Sequence, residues 1–136
     1  MADAQSFCLM FTGGNLASIH SAAENAFVTQ LAAAIATGTA TDSTGQTWTG
    51  LTLLTVDPTG TTWEWCDGSV VNFPTGQPYP LFNGPAPWGP LVPTGNFGCS
   101  ILITNTNGAT FSSSAWNEAD CNVAQANFVC KAPTII

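Results

Sequence analysis

The chain has 136 residues, eight acids and a single base, Lys131, for a formal net charge of −7 with only 7% of its residues charged. That length suits one domain over residues 1–136, and the charge balance excludes attraction to nucleic-acid phosphates or insertion at anionic lipid heads. An ordinary soluble domain is roughly 25% charged, so polar uncharged residues and apolar patches must cover this surface, the latter against another molecule or another copy of the chain.

Residues 2–11 read as a helix with Phe7, Cys8 and Phe11 on its inward face, stopped by Gly13 and Gly14, which permit left-handed backbone angles. A short extended piece follows over 15–19. Ser21 and Glu24 then form an S-x-x-E capping box that opens a second helix through about Ala36, with Phe27, Val28, Leu31 and Ile35 as the expected buried stripe. The apolar run 31–36 is far short of the ~20 residues a membrane helix needs. Met1, Ala2 and Asp3 lack the basic start and apolar core of a signal peptide, so a chain whose cysteines argue for export reads as a mature or trimmed one.

Residues 48–55 alternate in a way that suits a β-strand, Asp57 to Gly60 turns it back, and 61–66 reads as the return strand with Trp63 and Trp65 on one face. Residues 72–98 hold seven of the nine prolines and five glycines, which forbids helix and strand interior and leaves a long loop. Loops of this length inside a domain are usually functional. Its aromatics, Phe73, Tyr79, Phe82 and Trp88, are the candidate binding surface for protein or glycan, or the filling of the domain's own second core. Strands are expected at 99–104, 110–116 and 127–131, the first two joined by a turn over 105–108.

Five cysteines point to a disulfide-stapled extracellular fold with one thiol left over. The oxygen-rich turn Trp116, Asn117, Glu118 ahead of Cys121 is where a hard cation could sit, because calcium takes carboxylate and amide oxygens. No constellation supports an enzyme. His20 has no nucleophile or carboxylate at a telling spacing and reads as a surface or helix-entry residue, and Glu64 with Asp67 reads as a solvated hairpin end before a glycosidase pair.

Several motifs together resemble the C-type lectin-like domain: the link from Asn15 to Ser21 with Glu24, Phe27 and Val28; Trp48 to Leu51; Trp65 to Ser69; and the endings Trp116 to Cys121 and Phe128 to Lys131. The resemblance implies an α+β fold of two helices and two small antiparallel sheets with a long loop region. It implies disulfides Cys8–Cys130 and Cys99–Cys121, leaving Cys66 for an intermolecular bond or as a quiet thiol. Relatives that hold sugar through calcium carry acids in the loop and after Trp-Asn. Here Gln77 and Pro78 are followed by Tyr79, and Asn117 by Glu118, so Gln77, Asn117 and Glu118 are a reduced donor set for a calcium site that reads as degenerate. The family's strand ahead of the first helix is missing: either residues upstream were removed, or the final strand's edge is bare, open to strand addition from a neighbour, with the tail 133–136 a candidate donor. The functional expectation is a secreted, non-enzymatic module for protein binding or self-assembly, possible as an extracellular polymer. The alternative is a calcium-dependent carbohydrate-binding lectin.

Overall fold

Residues 1–133 are described by a computed structural model of the chain. Helix α1 (Ala2–Thr12) ends at Gly13, whose φ of 70° is left-handed, and the Gly14 N–H closes onto Cys8 O. Only Cys8 of α1 is buried, and Phe7 and Phe11 lie outside, which corrects the inward face expected for them. The inward place is taken by Gln5, which donates to Asn15 Oδ1 at 2.6 Å and accepts from Leu16 N at 2.8 Å in strand β1 (Asn15–Leu16). Phe7 instead packs on Phe11 and edge-on against Phe128.

Helix α2 (Ala22–Ala33) starts at Ser21, whose side chain accepts from Glu24 N, while Glu24 Oε1 reaches back to His20 N. Its buried face is Asn25, Val28, Thr29 and Ala32, so of the expected stripe only Val28 is inside, and Phe27, Leu31 and Ile35 face solvent. Distant partners decide this. Asn25 accepts from Trp116 Nε1 at 2.9 Å and donates to Ser114 O at 3.0 Å, and Thr29 accepts from Ser114 Oγ, bonds that exist only with the polar side turned in.

Strands β2 (Thr47–Asp57) and β3 (Gly60–Trp65) form the expected hairpin. A Cβ on Gly60 would lie 2.2 Å from Tyr79 O, so only glycine fits that turn. Strands β4 (Cys99–Leu102) and β5 (Trp116–Ala119) extend the sheet in the order β3-β2-β4-β5. The strand expected at 110–116 is not formed. The Asp42 carboxylate accepts from Thr110 N at 2.8 Å, Phe111 N at 2.7 Å and the Thr110 hydroxyl, which holds that segment off the sheet.

The expected final strand splits in two. Strand β6 (Asn127–Phe128) pairs in parallel with β2, and β7 (Cys130–Lys131) pairs antiparallel with β1. Between them Val129 turns its side chain to the core and accepts Ala17 N at 2.9 Å. One edge of β7 is therefore satisfied by β1, and its other side has no strand neighbour among the described residues. Of the suggested donor tail, 134–136 lie outside the described residues.

The main core joins Trp63, Trp65, Tyr79, Trp88 and Trp116 to Ile19, Val28, Leu51, Val92 and Leu102, and a second gathers around Cys8, Leu16, Trp48, Cys99 and Ile101. Disulfides Cys8–Cys130 and Cys99–Cys121 close around the second, with Cα separations of 5.4 and 5.2 Å. The long loop covers both sheet edges. Tyr79 exchanges backbone bonds with Thr61 beside β3, and 87–89 does so with Trp116 in β5. The accessible surface, 6854 Å², is close to the roughly 6,700 Å² that size scaling gives for a compact monomer of this mass.

Candidate functional site

The three candidate calcium donors are each committed to a different part of the chain. Gln77 Oε1 accepts from Trp63 N at 2.9 Å, and its amide nitrogen donates back to Trp63 O at 3.4 Å, so this side chain acts as an extra strand residue along β3. Glu118 is buried, and its carboxylate accepts from Thr94 N at 2.6 Å, Gly95 N at 3.1 Å and the Thr94 hydroxyl. Asn117 directs its amide nitrogen to Asp42 O at 2.6 Å. Among the described residues no three His, Cys, Asp or Glu side chains cluster as a metal-binding set. A calcium ion needs six to eight oxygens, and here the Gln77 and Glu118 oxygens already serve backbone N–H groups, so these residues do not fit the ion. Thr94 and Gly95 were not singled out by sequence reasoning. The run Pro93, Thr94, Gly95 after an irregular stretch has turn composition, and a turn that points successive N–H groups inward is the signal that would have found them.

The loop aromatics divide between core and surface. Tyr79 and Trp88 are inside the core and Phe73 packs edge-on against Trp116, so of the two roles open to the loop aromatics these three take the filling of the core. The reason is the tryptophan-rich sheet face, which α2 covers only in part, through Val28 and Asn25. Burial pushes the Tyr79 phenol up to about 12, and it donates to Pro74 O. Phe82, with φ 62° and 54% exposed, is the member of the set left facing solvent.

A polar cluster joins the β1–α2 link to the end of the hairpin. Ser18 Oγ and Ser69 Oγ both donate to Asp67, and His20 Nε2 lies 3.2 and 3.1 Å from those two hydroxyls. Partial burial acts to raise the Asp67 carboxyl, but the hydrogen bonds from Ser18, Ser69 Oγ and Ser69 N, with Lys131 nearby, hold it below its ordinary value. Asp67 grips the serines and not the imidazole, so the group does not have the nucleophile-base-acid order of an acyl-transfer site. Lys131 closes the cluster by pairing with Glu24 at 3.2 Å and donating to Ser18 O. Cys66 beside it is half-buried and free, its thiol pushed up by burial and then by Asp67 and Glu64. No helix among the described residues is long and apolar enough to cross a membrane.

The fold is shared with solved structures of differing use. Superposition on the calcium-independent type II antifreeze protein gives a TM-score of 0.61 at 23% identity over 96% of this chain and 77% of that one. For the cow C-type carbohydrate-recognition domain of CD23, solved with an oligosaccharide, the values are 0.63, 22%, 98% and 81%. For ovocleidin-17, a major protein of the Gallus gallus eggshell calcified layer, they are 0.58, 26%, 98% and 84%. No curated protein sequence matches significantly. The family described as Lectin C-type domain, whose members are generally binding modules and not enzymes, matches residues 1–132, and the chain belongs to that family.

Proposed function

We propose that this chain is a secreted, non-enzymatic C-type lectin-like module that binds protein, including further copies of itself, without calcium. The observation that supports this most directly is the occupation of the Gln77 and Glu118 oxygens by Trp63, Thr94 and Gly95 N–H groups. Acting as a calcium-dependent sugar lectin would require both side chains to leave those donors, exposing three backbone N–H groups, one of them on the sheet's edge strand β3. The low charge and the apolar residues left outside on both helices favour protein contact over a sugar, whose hydroxyls need convergent polar groups. The two disulfides support an oxidising compartment.

Calcium titration of the melting temperature tests the reading. A site with a Kd of about 10 μM would add about 2.7 kcal/mol at 100-fold excess, a shift of several degrees for a domain of this size. No shift between chelator and millimolar calcium is expected, and a reproducible rise would overturn calcium independence.

A further inference from the structure

Helix α2 buries Val28 and Ala32 but leaves its largest apolar side chains outside. Its buried side carries Asn25 and Thr29, while Phe27, Leu31 and Ile35 in the turn that follows are 64, 53 and 66% exposed. Those three, four residues apart, form a tall row along one i±4 line, and the adjacent row is also exposed, short at Ala22, Ala26 and Ala34 and raised only at the uncharged, flexible Gln30. From Asn25 to Thr41 there is no charged side chain.

We propose that this face is a contact between two copies of the chain, packed α2 against α2 about a two-fold axis, an inference that rests on the self-association reading above. A tall i±4 row beside a short one is what ridge-into-groove packing of two helices requires, with axes crossing near −50°. A two-fold contact needs the same patch to supply ridge and groove, and this one does. Charge points to the same occupant. A basic partner would be recognised by unpaired acids, whereas the one acid at the margin of this face, Glu24, is already paired with Lys131, and two molecules of charge −7 approach most easily where net charge is absent. A groove of about 190 Å³ continues the patch past Phe27 and Leu31 to Val129 and Lys131. A helix face about 18 by 10 Å is smaller than the roughly 800 Å² per partner of a standard interface, so the contact is weak and concentration-dependent.

The test is sedimentation of the full chain in a Cys66→Ser background, which removes thiol cross-links, from about 10 μM to about 1 mM, the range of weak complexes. The parent should move from monomer toward dimer, more so at high salt because the acidic charges are screened. Leu31→Glu should weaken association at least tenfold with an unchanged near-UV spectrum, and Phe11→Glu on α1 should leave it intact. An associating parent that is insensitive to Leu31→Glu, or sensitive only to Phe11→Glu, overturns this surface while leaving self-association standing. A parent monomeric throughout overturns both. Binding to zwitterionic vesicles that Leu31→Glu abolishes, without self-association, assigns the face to lipid and overturns the proposal.

Discussion

Glu118 separates the two possible uses of this fold. A buried carboxylate with three donors is a structural tie between β5 and the end of the long loop. Replacing it with alanine leaves the Thr94 and Gly95 N–H groups unsatisfied, and should cost about 3 kcal/mol by chemical denaturation, equally in chelator and in calcium. A loss that appears only when calcium is present would make Glu118 an ion ligand. The sequence marked Asn117 and Glu118 as oxygen donors by type, but it could not show which groups they serve. Their partners Thr94 and Asp42 lie 24 and 75 residues away in the chain, and only the folded loop brings them together. Tyr79 shows the same limit: a loop aromatic can face solvent or fill a core, and the choice depends on how much sheet the helices leave uncovered.

The two disulfides differ in how much chain they close, and their removal should differ accordingly. With sequence separations of 122 and 22 residues, chain-entropy arguments give about 5 kcal/mol for Cys8–Cys130 and about 3.5 kcal/mol for Cys99–Cys121. Paired Cys→Ala variants compared by urea unfolding should rank in that order, and the reverse order would show that native-state packing outweighs loop closure. Helix ends were readable at this scale because caps are local: Ser21, Glu24 and Gly13 act within a few residues. Helix facing was not. The periodicity of Phe27, Leu31 and Ile35 identified a stripe correctly, but the side that turns inward was chosen by Ser114 and Trp116, nearly ninety residues on. The misplaced strand at 110–116 has the same origin, since Asp42 captures its start from far upstream.

Acid should act on the molecule twice within a narrow range. The carboxyls of Asp42 and Asp67 are held below the ordinary 3.8, burial being outweighed at Asp42 by bonds from Phe111 and Thr110 and at Asp67 by those from Ser18 and Ser69. A depressed folded-state value means the stabilisation is fully present above the unfolded value and is lost as pH falls through the folded one. The melting temperature should therefore hold from neutrality to about pH 5 and fall below about pH 4, and Asp67→Asn should flatten part of that fall. The isoelectric point near 4.1 lies in the same window, so the apolar helix faces lose electrostatic protection there and turbidity should peak near it. A melting curve unchanged down to pH 2 would contradict the assignment. The joining of Cys8 to Cys130 also governs how the domain carries force. Tension applied between Met1 and Lys131 passes along the start of α1, across the covalent bond and into the last strand, and the 122-residue span between the two cysteines stays slack. Strung in series, such domains would form a chain in which only the start of α1 and the last strand bear load, and the five-stranded sheet, the loop and α2 feel none until a reductant opens the bond.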